Sequence, residues 1–212
     1  MAGSWELIEQ NRVLVVILTR EIITTAWSIG FRNLQIPGTY TFLSGMPFDH
    51  ARNTGCLKTL ELDFEWVFFL DDDVIPPPDA ILRLMSHKQP IVSGVYYRRN
   101  PPICPVMLRD TPEGKQWVTQ FYAPSLIEVD YVGAGCLLIH RDVLMNLNNP
   151  WFEWRCDKDL PADQRMSEDF AFCLNARQRG YKINVDTSVQ CRHIGLGESR
   201  VGGSFVPGEI IV

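Results

Sequence analysis

Residues 66–73 read WVFFLDDD, five apolar side chains followed without a break by three aspartates. A run of aromatic and branched residues with no polar alternation fits a strand covered on both faces, as in the parallel sheets of α/β proteins. Such sheets bind ligands just outside the carboxyl ends of their strands. Asp71, Asp72 and Asp73 stand at such an end. Adjacent carboxylates repel one another unless a cation or donor groups compensate them. If extended geometry continues, Asp71 and Asp73 share one face and Asp72 points to the other. Two hard oxygen donors so placed suit Mg²⁺ or Mn²⁺, which would in turn hold a diphosphate. The plainer alternative is a solvated acidic turn in which Asp73 or Asp79 caps the next helix.

The flanking sequence supports an α/β frame. Upstream, Arg12–Thr19 (RVLVVILT) is a second dry strand, and Glu21–Asn33 repeats its apolar residues at a helical period. Pro37-Gly38 marks a turn, Thr39–Leu43 a strand, and Asp49–Asp63 a helix with Asp49 as N-cap. Downstream, Pro76-Pro77-Pro78 opens a helix over Asp79–His87, and Ile91–Tyr97 is a strand. Pro101–Trp117 reads as an irregular hairpin, Ile127–Tyr131 and Cys136–His140 as strands, and Arg141–Leu147 as a short helix. Met166–Arg179 is a longer helix stopped by Gly180. Lys182–Val185 and Ser188–Cys191 close the pattern as two short strands. The βαβαβαβ order of the first half predicts a mostly parallel central sheet flanked by helices, with a small mixed second sheet.

Composition narrows the class. A chain of 212 residues fits one domain, and 46% hydrophobic with 21% charged residues excludes disorder and a coiled coil. The formal net charge of −5 argues against a broad basic coat for nucleic acid. No apolar run nears the ~20 residues of a membrane span, and Met1–Gln10 does not read as a signal or transit peptide. The expected location is therefore the cytoplasm. The six cysteines form no C-x-x-C pair, which favours reduced thiols over a zinc or redox site. Gly195–Gly208 holds five glycines and is expected to be a mobile tail or lid.

Four further constellations carry chemistry. Ser167-Glu168-Asp169-Phe170 opens a helix, where acids favour the helix dipole but a carboxylate is also well placed as a general base. His193, between a short strand and the glycine-rich tail, is free to reach a metal, although a lone histidine is more often a surface or core residue. Arg52-Asn53 is either an exposed helical face or a guanidinium forked onto phosphate. Gly133-Ala134-Gly135 is either a bulge or a close backbone approach to a ligand. Trp151, Phe152 and Trp154 line an acceptor groove or, more commonly for aromatics, pack beneath Pro150.

In this order the motifs resemble a GT-A-fold glycosyltransferase close to the family 2 type. The match runs through Thr19-Arg20, Ala51-Arg52-Asn53, FFLDDD, VGAGCLLIHRDVL, PWF, SEDFAFC, GYKINVD and CRHIG, over about residues 12–195. The resemblance implies a single hexosyltransferase-type catalytic domain, with a nucleotide-sugar half over about 12–99 and an acceptor half over about 100–195. It implies that Thr19 and Arg20 line the nucleotide pocket and that Arg52 helps hold the diphosphate. Asp71, with Asp72 beside it, would face the ribose or sugar, while Asp73, with His193 and a share from Asp71, would hold Mn²⁺ or Mg²⁺. Gly133 and Gly135 would border the sugar. Asp169 would be the base, with Glu168 as its rival. The implied donor is a nucleotide-sugar, UDP-sugar by family default, and the acceptor hydroxyl lies on a glycan or on DNA.

The chain lacks the membrane helices of polysaccharide synthases and looks like the compact stand-alone type of bacteria and their viruses. Two other enzymes compete. A nucleotidyltransferase would use the same acids but needs a glycine-rich basic loop after the first strand, where this chain has Leu18-Thr19-Arg20-Glu21. A metal-dependent nuclease needs a basic groove, for which Tyr96-Tyr97-Arg98-Arg99 with Lys88 and Arg109 is the candidate strip. The same strip would suit an anionic acceptor such as DNA.

Overall fold

The computed structural model describes residues 12–156, 159 and 165–194. Its elements in chain order are β1 (Val13–Thr19), α1 (Thr25–Asn33), β2 (Gly38–Ser44), α2 (Phe48–Glu61), β3 (Trp66–Asp71), β4 (Val74–Ile75), α3 (Ala80–Ser86) and β5 (Ile91–Val95). There follow β6 (Met107–Thr111), β7 (Gly114–Trp117), β8 (Leu126–Val129), β9 (Tyr131–Val132), β10 (Cys136–His140), α4 (Arg141–Asn146), α5 (Glu168–Gln178), β11 (Ile183–Gln190) and β12 (Arg192–His193).

The central sheet has seven strands in the order β2-β1-β3-β10-β5-β11-β8. Strands β2, β1, β3, β5 and β11 run one way, while β10 and β8 run against them. The α/β frame with a mostly parallel sheet is as expected. The reversed β10 between β3 and β5 was not foreseen, because a dry run such as CLLIH has the same pattern in either direction. Its direction matters, since it brings the start of β10 beside the end of β3: Cys136 pairs with Leu70, and the Asp71 N–H donates to the Gly135 carbonyl at 3.2 Å.

Two small sheets complete the fold. One is β7-β6-β9, which gives the Pro101–Trp117 stretch its hairpin; the other pairs β12 with β4. The two late strands expected from sequence are one strand, β11, with a register shift between Asp186 and Gln190. Helix α1 starts at Thr25 rather than Glu21, because the Thr24 hydroxyl accepts the Trp27 N–H at 3.1 Å and so caps it there. Helix α2 is entered at Pro47, and Asp49 sits inside its first turn without capping it.

Alternation along β1 and β3 explains the core. Val13, Val15, Ile17, Trp66, Phe68 and Leu70 pack on one face with Trp27, Ile81 and Leu84. Leu14, Val16, Leu18, Val67 and Phe69 pack on the other with Phe152 and Phe172. Burying each such large side chain contributes about 1.5–3 kcal/mol. Gly55 lets α2 lie close on this second face, since a Cβ there would stand 3.0 Å from both Phe69 and Val16. Arg52, one turn earlier, is on the same buried face. Among the described residues no helix is long and apolar enough to cross a membrane. The glycine-rich stretch Gly195–Gly208 lies outside the described residues.

Candidate functional site

The three aspartates do not continue the strand. β3 ends at Asp71, and Asp72-Asp73 form a turn into β4. The turn is tied on all sides. The Trp27 indole N–H donates to the Asp71 carbonyl at 3.0 Å, and the Asp72 N–H donates to the Leu18 carbonyl at 3.2 Å. The Asp72 carboxylate accepts the Arg20 N–H at 3.0 Å, so it anchors the end of β1. The Thr19 hydroxyl accepts the Glu21 N–H at 3.1 Å. Thr19 and Arg20 therefore flank the acidic turn, and the Arg20 charge helps to lower the Asp73 pKa.

Arg52 lies beneath the turn, 3% exposed. Its guanidinium donates to Asp71 Oδ1 at 3.0 Å, to the Ala134 carbonyl at 3.1 Å and to Glu168 Oε1 at 3.4 Å. It also lies 5.5 Å and 5.9 Å from the Phe69 and Phe152 ring centres. Burial opposes its charge, but Asp71, Glu168 and Asp169 outweigh that and raise its pKa. This differs from an exposed phosphate clamp: the fork joins two carboxylates from opposite halves of the chain. Asn53, beside it, accepts the Trp151 and Phe152 N–H groups on Oδ1 at 2.9 Å and 3.0 Å and donates to the Phe152 carbonyl at 2.7 Å. Trp151 and Phe152 are accordingly buried, while Trp154 is exposed.

Asp73 meets His193 because β4 and β12 pair Val74 with His193. His193 Nε2 is 3.3 Å from Asp73 Oδ1, and the Asp73 carbonyl accepts the Ile194 N–H at 2.8 Å. His193 Nδ1 is 2.5 Å from the Tyr97 carbonyl, which assigns the ring proton to Nδ1. Nε2 then faces the carboxylate, where a ring proton or a cation can stand between them. The second Asp73 oxygen is 2.9 Å from Arg99. Burial pushes the Asp73 carboxyl upward, but the His193 hydrogen bond and the charges of His193, Arg99 and Arg20 hold it below its ordinary value.

One carboxylate and one imidazole, with a backbone carbonyl fixing the far ring nitrogen, are the two groups that could hold a divalent cation here, the hard carboxylate suiting Mn²⁺ or Mg²⁺. Among the described residues no group of three or more His, Cys, Asp or Glu side chains could hold a metal.

The glycine turn closes the site from β10. The Tyr96 hydroxyl accepts the Gly135 N–H at 3.1 Å, and a Cβ on Gly133 would fall 1.9 Å from that hydroxyl. A Cβ on Gly135 would stand 3.1 Å from Asp71 Oδ2. Gly133 is thus required by the close approach of Tyr96, while Gly135 sits in a tight fit against Val74, Asp71 and Tyr96. At the start of α5, Asp169 accepts the Phe170 N–H at 2.8 Å and the Ser167 hydroxyl. Glu168 is 5% exposed; burial and then the Asp169 charge push its carboxyl up to about 7.

The structure brings Asp71, Asp73, Arg52, Glu168, Gly133, Gly135 and His193 into one contact network, with Asp169 near enough to raise the Asp71 pKa. Trp27 carries no signal in the sequence, and Tyr96 and Arg99 stand there only as parts of a candidate basic strip; in the fold Trp27 and Tyr96 hold backbone groups and Arg99 meets Asp73. Of that strip, Arg98 lies over the Trp117 ring at 5.2 Å, Arg99 pairs with Asp73, and Arg109 donates to the Glu128 carbonyl at 2.9 Å.

The fold, with acids at the end of its third strand, is of the GT-A-like class. The chain is similar to the crystal structure of A197 from STIV, with a TM-score of 0.63 and 20% identity over 86% of this chain and 85% of that one. It is also similar to GalNAc-T7 solved with UDP, GalNAc and Mn²⁺, with a TM-score of 0.59 and 12% identity over 91% of this chain and 46% of that one. No protein-family model matches the sequence, and no curated protein sequence matches it. At these identities the likeness is one of fold.

Proposed function

We propose that the protein is a metal-dependent glycosyltransferase that moves a sugar from a nucleotide-sugar, a UDP-sugar as first candidate, to an acceptor hydroxyl. The observation that carries this reading is the pairing of Asp73 with His193 at 3.3 Å at the carboxyl end of a GT-A-like sheet. A divalent cation held there by Asp73 and His193 would offset the charge that builds on a departing diphosphate. Thr19, Arg20 and Asp72 border the nucleotide side of the turn, and Asp71 faces the sugar across the Gly133–Gly135 turn.

Asp169 is the base in this reading. It is half-buried at the start of α5, and taking a proton from the acceptor hydroxyl as attack proceeds is the step it can assist. Glu168 is instead held by Arg52, which fixes the start of α5 relative to Asp71. Arg52 is thus a positioning residue that ties the donor half to the acceptor half. Of the strip that motivated a DNA acceptor, Arg98 lies over the Trp117 ring and Arg99 pairs with Asp73 at the edge of the site.

The test is a panel of nucleotide-sugars incubated with Mn²⁺ or Mg²⁺, with the released nucleotide measured. Metal-dependent release of a nucleoside diphosphate is the expected result. Release of pyrophosphate from nucleoside triphosphates, with no turnover of any sugar donor, would replace this reading with a nucleotidyltransferase.

A further inference from the structure

Arg99 has no role in the reading above, yet it occupies a central position. Its Nη1 is 2.9 Å from Asp73 Oδ2, while His193 faces the other oxygen of the same carboxylate. Its side chain is 30% exposed against 15% for Asp73, so the pair lies at the mouth of the site rather than within the core.

The backbone beneath Arg99 is fixed. The Arg98 N–H donates to the Cys104 carbonyl and the Val106 N–H to the Tyr96 carbonyl, both at 2.9 Å, and Tyr97 and Pro105 form a β-bridge. The neighbouring Arg98 is occupied over Trp117. What is left free to move is the Arg99 side chain, a long stem with a planar fork suited to phosphate oxygens.

Two positive groups have a claim on one carboxylate. A divalent cation bound by Asp73 would share that carboxylate with a guanidinium, and like charges at such range repel. A diphosphate arriving at the same place needs cationic donors. We infer that Arg99 is a diphosphate-positioning residue, paired with Asp73 until that carboxylate serves a cation and then released toward the phosphates. This rests on the donor reading proposed above and assigns to one residue both a braking effect on metal binding and a supporting effect on diphosphate binding.

The two effects have opposite signs, which makes the inference testable without any turnover assay. Arg99→Gln is titrated calorimetrically with Mn²⁺ alone and then with UDP at saturating Mn²⁺, beside the wild type. Removing the competing guanidinium should tighten Mn²⁺ alone by about fivefold, the scale of a partly exposed ion pair. Losing a charged hydrogen-bond donor should weaken UDP by about tenfold or more. Arg99→Lys, which keeps the charge without the fork, should fall between the two on both measures, and a matched melting temperature shows that the variants are folded.

Mn²⁺ affinity that is unchanged or weaker in Arg99→Gln overturns the inference, as does UDP affinity that is unchanged while Mn²⁺ tightens. If wild type binds Mn²⁺ but no UDP, the donor reading fails, while the Mn²⁺ comparison still decides whether Arg99 competes for Asp73.

Discussion

Replacing Arg52 by methionine removes the guanidinium that joins Asp71 to Glu168. The apolar stem is largely kept, and a thioether packs well against the Phe69 and Phe152 rings, so little of the loss should come from packing. What remains is Glu168, 5% exposed, and Asp71, whose side chain is 23% exposed, with no guanidinium between them. Breaking a buried pair by deleting one partner costs about 3–5 kcal/mol, a large share of the ~5–15 kcal/mol that holds a typical domain folded.

The cost should depend on pH, and its sign follows from the carboxyls. Burial first, then the Asp169 charge, raises Glu168 from 4.5 to about 7, and burial likewise raises Asp71. A carboxyl raised in the folded state binds its proton more tightly there than when unfolded. Its stabilising contribution is complete below the unfolded value and is lost as pH rises through the folded value. Without Arg52 both carboxyls rise further, so Arg52→Met should be close to wild type near pH 4, and its penalty should grow as pH rises through about 7 and beyond. Urea unfolding of both proteins across that range gives the difference directly. A loss below about 1 kcal/mol at the alkaline end, or one equal at both ends, would refute the view of Arg52 as a buried bridge.

Gly133→Ala should destabilise the fold by about 2–3 kcal/mol, because its Cβ would meet the buried Tyr96 hydroxyl at 1.9 Å. Adding Tyr96→Phe removes that oxygen and should recover part of the loss in thermal unfolding; no recovery would place the strain elsewhere. Asp169→Asn should lower transfer at least ~10²-fold while leaving nucleotide affinity within about twofold. Undiminished turnover in that variant would remove Asp169 from the chemistry and leave Glu168 as the candidate.

The legible parts of the sequence were those where local pattern and tertiary role coincide. WVFFL and RVLVVILT could be read as covered strands because both of their faces are apolar, and the DDD run marked the end of β3. Strand direction was not legible in CLLIH, since a dry strand has no face that distinguishes parallel from antiparallel pairing. Nor could the sequence show that Arg52 is buried. An arginine in a helix reads as exposed until two carboxylates distant in sequence, Asp71 and Glu168, are known to converge on it. Tyr96 and Trp27 were silent for a similar reason. Their polar atoms gain meaning only through the backbone groups they hold, Gly135 N–H and the Asp71 carbonyl. The nearness of His193 to Asp73 depends on a two-residue ladder, β4–β12, too short to leave a periodic signal.

The central claim is that Asp73 and His193 hold a cation that in turn holds a nucleoside diphosphate. The most direct measurement is UDP binding to wild type and Asp73→Ala by calorimetry, each with Mn²⁺ and with chelator. The account predicts that wild type binds UDP only with Mn²⁺ and that Asp73→Ala, still folded by its melting temperature, loses the metal-dependent part. UDP affinity that is the same with metal or chelator, or the same in Asp73→Ala, would contradict it.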